Sequence, residues 1–544
     1  MTAESLSQLQ QVEQQRQALL SNRILCCTVA GCLSGGAGVV RSAIEREVER
    51  QGRAADTEVC GTGCMGLCSQ GPLVRSSAAN AIYANVTAGD APAIVKGDAI
   101  RAVPPEHPFF AGQRRMIMAN SGYADPERIA DYIANGGYQP LLRAVSEMTP
   151  ERIVAEVRDS GLRGRGGAGY PAGLKWELVA RQPSKVKYVV CNADEGDPGA
   201  FMNRAVLEGD PHLVLEGMAI AGRAVGAHQG YIYVRGESPL AIARLKTAIE
   251  QARHEGLLGD RIFESSFNFR IDVRIGAGAY VCGEETALLA SIEGRRGQPV
   301  ARPPYPPERG LWTQPTLINN VETFANIPGI IRNGSEWFAS IGSPSSPGTK
   351  VFALAGRIAH AGLVEVPIGT PLRTLIYDLG GGAPAGCEFK AAQTGGPAGG
   401  CIPAAHIDLP MDYDLLQSIG SMMGSGGLIA MDTSSCMVDI ARFFMEFCRD
   451  ESCGKCVPCR AGTVQMHDIL ARITHGEGVE SDLGMLEELS HLLSTTSLCG
   501  LGLAAPNPVV STLRHFRGEY EAHVREHRCP AGHCRMPARA GGTS

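Results

Sequence analysis

The sequence predicts a multidomain α/β protein that ends in a helical segment built around metal-binding cysteines. Three observations predict it. Residues 150–340 alternate strand-like and helix-like stretches, the signature of α/β layering. A compact cysteine-rich α/β stretch, residues 23–100, stands before them. The run Cys453-Gly454-Lys455-Cys456-Val457-Pro458-Cys459 sets three thiols at two-residue spacing inside the helical patterns that close the chain. With 544 residues, 44% hydrophobic and 19% charged, the chain can bury several separate cores.

Taken in order, residues 1–22 read as one helix, with Leu6, Leu9, Val12, Leu19 and Leu20 on a loosely periodic face and no Gly or Pro. Residues 23–104 form a small α/β domain, with a helix over 39–49 and strand-like stretches near Leu73 and at 94–95. A proline-rich linker at 103–110 leads to helices at 126–133 and 141–145. The largest domain, 115–345, has strands at 188–191, 230–234 and 269–273 and helices at 212–225, 239–251 and 284–293. Glycine and proline then thicken over 346–430, where short apolar runs at 351–355 and 363–366 predict a β-rich insert. Residues 431–528 read as helical, and 529–544 as a tail.

A formal net charge of −6 and a pI near 6.1 leave no basic footprint, which argues against a nucleic-acid partner. The 18 cysteines do not read as a disulfide framework, because the chain is large and opens on a polar, Gln-rich stretch that is not a signal peptide. A reducing cytoplasm fits better. No stretch is apolar for long enough to span a bilayer; even 213–234 carries Glu216, Arg223 and His228.

Four thiolates hold a cubane cluster, so Cys453, Cys456 and Cys459 call for a fourth ligand, and Cys499 in Ser497-Leu498-Cys499-Gly500 is the donor; a tetrahedral zinc is the competing use of four cysteines. In the first domain Cys27, Cys32, Cys64 and Cys68 suffice for a [2Fe-2S] cluster. Cys26 and Cys60 could substitute, which leaves the register open by one cysteine, and a zinc module also suits the spacing. The glycine-rich Gly161-Leu162-Arg163-Gly164-Arg165-Gly166-Gly167-Ala168-Gly169-Tyr170-Pro171, with Lys175 beyond it, lets backbone approach an anionic cofactor, although it is not the dinucleotide fingerprint. Three polar loops flank it: Asn192-Ala193-Asp194-Glu195-Gly196-Asp197 directly after a strand, Tyr280-Val281-Cys282-Gly283-Glu284-Glu285-Thr286, and Asn319-Asn320-Val321-Glu322-Thr323. Any one could be a surface salt-bridge cluster; three around one glycine-rich loop argue for a nucleotide site.

The motifs GLRGRGGAGYPAGLKW (161–176), NADEGDPG (192–199), YVCGEET (280–286), NNVET (319–323) and ESCGKCVPCR (451–460) closely resemble the flavin-bearing NADH-binding subunit of respiratory complex I, over roughly residues 115–525. RILCCTVAGC and CMGLCSQGP make the fused N-terminal region resemble a thioredoxin-like [2Fe-2S] domain. The whole is most similar to the diaphorase flavoprotein subunits of NAD-linked [NiFe] hydrogenases. The resemblance implies a Rossmann-like FMN/NADH domain, a β-grasp insert and a helical bundle carrying [4Fe-4S]. It implies FMN contacts from Gly164, Arg165, Gly166, Lys175, Asn192, Asp194, Glu195, Tyr280, Gly283, Glu284, Asn319, Asn320 and Thr323. The dinucleotide would meet Tyr170, Glu195, Asp197, Glu285 and Tyr305, with the tyrosines stacking on adenine. Asp197 stands where respiratory relatives have Glu, Tyr170 and Tyr305 where they have Phe, and Arg302 where they have Lys. The implied activity is hydride exchange between NAD(H) and FMN, beside Glu195 and Lys175, followed by one-electron transfer through the clusters. Carboxylates at 195, 197, 284 and 285 are expected to repel the extra phosphate of NADP. The implied partners are iron-sulfur subunits and a [NiFe] hydrogenase module. A formate dehydrogenase or electron-bifurcating hydrogenase setting is the alternative, or a relay that no longer binds flavin. Near the C-terminus, Cys448, His523, Cys529 and Cys534 are expected to hold a structural zinc, as in bifurcating relatives.

Overall fold

The computed structural model describes residues 1–536, apart from 99 and 105. The N-terminal helix spans Ala3–Ala18. The first sheet contains β1 (Asn22–Cys27), β2 (Thr57–Thr62), β3 (Val74–Ser76), β4 (Ala81–Tyr83) and β5 (Ala102–Val103) in the order β2-β1-β3-β4-β5, with β1 parallel to β2 and antiparallel to β3. One local expectation fails here: Ile94 and Val95 lie in the helix Ala91–Lys96, not in a strand. Pro92 suits the first turn and Gly97, at φ 84°, closes the last. Both side chains are fully buried, and a short apolar run reads the same whether it is a buried strand or one face of a buried helix.

The central sheet is wholly parallel, β6 (Tyr188–Ala193), β7 (Gln229–Arg235), β8 (Arg270–Gly276) and β9 (Thr316–Asn320), ordered β8-β7-β6-β9. Asn192 on β6 pairs in register with Asn320 on β9, so the loops after both strands emerge side by side at one sheet edge. That edge is where open α/β sheets take ligands. After the small hairpin β10 (Gly342–Ser343) and β11 (Ser346–Pro347), a third sheet holds β12 (Thr349–Gly356), β13 (Gly362–Pro367), β14 (Phe389–Thr394), β15 (Cys401–Pro403) and β16 (Gly427–Asp432) in the order β13-β12-β16-β14-β15. The helices Met437–Asp450, Val457–Thr474, Ser481–Thr496 and Asn507–Arg525 then pack around a core of their own that includes Met445, Leu470, Leu486 and Leu513. Among the described residues no helix is long and apolar enough to cross a membrane.

Buried polar contacts lock the parts together. Glu365 on β13 accepts backbone N–H bonds from Met116, Ile117 and Met118 and the Thr349 hydroxyl, fastening the segment 116–118 to the third sheet. Lys350 on β12 and Glu322, just past β9, form an ion pair with both side chains out of solvent. The β13 edge also meets the first domain, where Leu363 N–H donates to Gly66 O at 2.8 Å and Ser69 N–H to Ala361 O at 2.8 Å.

Candidate nucleotide site and metal centres

The glycine-rich loop lies across the C-terminal ends of β6 and β9. Its backbone runs too close to its neighbours for side chains: a Cβ on Gly166 would sit 3.2 Å from Asn320, and one on Gly167, at φ +131°, would sit 3.3 Å from Gly424. Thr323 Oγ1 accepts the Arg165 N–H at 2.9 Å, and the Tyr413 hydroxyl donates to Gly164 O at 3.0 Å. Arg165 does not offer its charge to this site. Its guanidinium is fully buried and donates to the carbonyls of Arg163, Pro347 and Thr349. A buried cation with three good acceptors acts as a clamp on the loop and the β11 hairpin, which leaves the loop's backbone to meet an anionic group.

The polar loops converge as the sequence suggested, but their acids are already engaged. Asn192 Nδ2 donates to Gly283 O at 2.8 Å. Asn319 Oδ1 accepts the Trp176 indole N–H at 2.9 Å, and Asn320 Oδ1 accepts Glu322 N–H as the cap of the next helix. Glu195 accepts the N–H groups of Asn203 and Arg204, both at 2.9 Å. Asp197 accepts the Tyr280 hydroxyl at 2.6 Å and the Ser425 hydroxyl at 2.9 Å. Glu284 caps the helix Glu285–Ile292 through the N–H groups of Thr286 and Ala287. Glu285 is paired with Lys175, which also donates to Ile318 O at 3.1 Å. Burial pushes the Glu195 and Asp197 carboxyls above the usual range, and it pushes Asp194 up to about 7 despite Arg235 at 3.3 Å. One Asp194 oxygen is buried with no partner among the described residues, an unmet acceptor that suits a cofactor donor. Tyr170 and Tyr305 stand half-exposed at the mouth, 47% and 51% accessible, with Lys175 and Arg302 over their rings at 6.0 and 5.8 Å.

Cys453, Cys456, Cys459 and Cys499 line one enclosed, mainly apolar cavity with Val281, Pro299, Leu498 and Leu501. Such a lining suits a cubane cluster, whose sulfurs need few protein donors. Three bonds fasten this cavity to its surroundings, one to a nucleotide loop and two to the segment 298–299. Glu451 accepts Tyr280 N–H at 3.0 Å, Gln298 Nε2 donates to Cys453 O at 3.2 Å, and Lys455 Nζ donates to Pro299 O at 2.5 Å. Glu451, Ser425 and Arg235 were not singled out from sequence; each acts through a tertiary contact that no local spacing encodes.

In the first domain the thiols of Cys27, Cys32, Cys64 and Cys68 gather. Cys64 and Cys68 sulfurs lie 3.5 Å apart, and Cys27 interacts with both Cys32 and Cys64. Cys26 points the other way, into the core with Val40 and Ile44, and Cys60 faces the Arg23 guanidinium at 3.9 Å. The C-terminal group differs from the expected set. Cys436, His523, Cys529 and Cys534 have all their ligand atoms within 4.8 Å of one another. Cys448 is absent from this group: it is buried in the core of the bundle, and burial pushes its thiol far up. Cys436 gives no signal in the sequence because it precedes its helix alone, with no second ligand at motif spacing.

Two family models match this layout, the Nuo51 FMN-binding domain over residues 157–329 and the NADH-ubiquinone oxidoreductase-F iron-sulfur binding region over 439–523. NADP-reducing hydrogenase subunit HndC of Solidesulfovibrio fructosivorans is 55% identical over 78% of this chain and 86% of its own length. The chain belongs to this family of flavin- and iron-sulfur-binding NADH oxidoreductase subunits. An NADH-quinone oxidoreductase protein of Rhizobium meliloti, another member, is 45% identical over 76% of this chain and 99% of its own. Among solved structures, an NAD+-reducing [NiFe]-hydrogenase in the H2-reduced state superposes with a TM-score of 0.68 at 28% identity, covering 97% of this chain and 91% of that one. As a family member the chain is an oxidoreductase with an FMN-binding region over residues 157–329 and an iron-sulfur, [4Fe-4S], region over 439–523.

Proposed function

We propose that this chain is the diaphorase subunit of a cytoplasmic NAD-linked [NiFe] hydrogenase, exchanging electrons between NAD(H) and iron-sulfur centres on partner subunits. One observation carries this reading. The likeness to the NAD+-reducing hydrogenase spans 97% of the chain, cysteine-rich first domain included, whereas the quinone-reductase relative is used up at 76% of it. Bound FMN supplies the conversion between hydride and single electrons. The protein's share is positional: the backbone of 161–169 receives the phosphate, Asp194 and Asn192 face the flavin edge, and Tyr170 and Tyr305 take the adenine. Lys175 offsets negative charge that develops beside it.

In this reading the first domain is thioredoxin-like and holds [2Fe-2S] through Cys27, Cys32, Cys64 and Cys68, and the third sheet is the β-grasp insert. The C-terminal Cys436, His523, Cys529 and Cys534 hold a structural zinc, three sulfurs and one nitrogen being a usual tetrahedral set. The names of the relatives divide between NADP and NADH, so names alone leave the adenosine phosphate open.

The test is NADH oxidation with benzyl viologen by purified chain reconstituted with FMN, iron and sulfide. Activity that requires FMN supports the reading. Bound flavin and clusters without NADH oxidation contradict it, and point to a relay.

A further inference from the structure

The four carboxylates expected to exclude NADP do not face the dinucleotide as free charges. Glu195 is held by two backbone N–H groups, Asp197 by the Tyr280 and Ser425 hydroxyls, and Glu284 by the helix it caps. Asp197 also fits tightly under the third sheet, since a Cβ on Gly396 would come within 2.8 Å of its carboxyl carbon. Glu285 is neutralised by Lys175. At the other side of the mouth Glu308 is spent on the Tyr305 N–H, at 3.3 Å.

One cation, Arg302, is less committed. Arg302 lies 5.8 Å over the Tyr305 ring and 3.8 Å from Glu285, too far for a hydrogen bond, and it makes none among the described residues. Its side chain is 38% exposed. Beyond that long ion pair with Glu285 its planar fork of N–H donors has no hydrogen-bond partner among the described residues, beside a ring placed to stack adenine. A fork of that kind grips a phosphate dianion at two points, which a lysine ammonium at the same place would not do.

We propose that the adenosine end of this site accepts a 2′-phosphate through Arg302, so that the chain oxidises NADPH as well as NADH. This rests on the diaphorase reading above, including adenine between Tyr170 and Tyr305. The redox balance is that of NADH: one hydride leaves the dihydronicotinamide, NADPH becoming NADP+, two electrons reduce two viologen dications singly, and one proton goes to solvent.

Two measurements on the FMN- and cluster-loaded chain test it. The first compares kcat/KM for NADPH and NADH with benzyl viologen; the second is calorimetric binding of 2′,5′-ADP against 5′-AMP. NADPH is expected within about tenfold of NADH, and 2′,5′-ADP should bind several-fold tighter than 5′-AMP, with that advantage shrinking at high salt. Arg302→Met should lower the NADPH/NADH ratio about tenfold and erase the preference for 2′,5′-ADP, with Arg302→Lys between. A merely structural Arg302 would depress both dinucleotides equally and leave the ratio in place, which overturns the proposal. Should the variants not fold, wild-type chain that turns over NADH but neither oxidises NADPH nor prefers 2′,5′-ADP overturns it equally. Failure with NADH itself refutes instead the diaphorase reading beneath it.

Discussion

At the scale of single residues the site is defined by acids held out of water. Asp194 is the clearest, with a folded pKa raised by burial from 3.8 to about 7. A raised carboxyl keeps its proton in the folded chain where the unfolded chain has lost it. Its stabilising contribution is therefore complete below about 3.8 and is lost as pH rises through about 7. The melting temperature of the flavin-free chain should fall between pH 5 and 8 and Asp194→Asn should flatten that fall; superimposable wild-type and variant profiles would show that Asp194 does not govern it. Tyr280→Phe should cost about 1–3 kcal/mol in a denaturant titration, because half-buried Asp197 loses one of its two hydroxyl partners. These residues were legible in the sequence as types, since acids and amides at strand ends announce a polar ligand. Their directions were not. Whether Glu284 faces a ribose or caps its own helix, and whether Arg165 meets a phosphate or three carbonyls, depends on backbone placed by distant segments.

At the scale of elements, Glu451 ties the cubane loop to the nucleotide loop at Tyr280, and Gln298 and Lys455 tie it to the segment 298–299. Electron transfer needs a fixed, short separation, and these bonds fix it. Glu451→Ala should leave flavin bleaching by NADH within about twofold of wild type while slowing the appearance of reduced cluster in rapid-freeze measurements; equal slowing of both would assign Glu451 to the dinucleotide step instead. The C-terminal group makes a sharper element-level prediction. On the zinc reading proposed above, metal analysis of the purified chain should find zinc, lost in Cys436→Ser and retained in Cys448→Ser. The reverse pattern would restore the ligand set expected from sequence. The cubane run could be read directly because its spacing is local. The C-terminal Cys/His group could not, since Cys436, just before the helix Met437–Asp450, meets His523 on the helix Asn507–Arg525 and Cys534 beyond it through tertiary packing.

At the scale of the whole molecule, the helix Ala3–Ala18, the first sheet and the largest domain are tied by one ionic network. Arg23 reaches Asp131 at 2.6 Å and Glu58 at 2.7 Å; Arg128 reaches Glu58 at 2.7 Å and Glu13 at 3.3 Å; Arg16 reaches Glu13 at 2.7 Å. Asp131 is almost wholly buried, so removing its charge strands Arg23 in the interface. Asp131→Asn should weaken the docking of residues 1–104 by about 2–3 kcal/mol, less than the usual cost of breaking a buried pair because Glu58 remains. Limited proteolysis near 105–115 should then release that segment faster, and an unchanged rate would show that the network does not govern docking. The sequence disclosed the flavin and iron-sulfur regions in their order through motif, yet nothing in it announced this interface, whose charges lie far apart in the chain, from Glu13 to Asp131.

The central claim is that electrons from NADH reach both cysteine-held clusters through one nucleotide site. An anaerobic NADH titration of the loaded chain, followed by flavin absorbance and low-temperature EPR together, tests it most directly. The predicted result is flavin bleaching accompanied by the signals of a reduced [4Fe-4S] and a reduced [2Fe-2S] centre. Bleaching with no cluster signal, when dithionite produces both signals in the same sample, would contradict it.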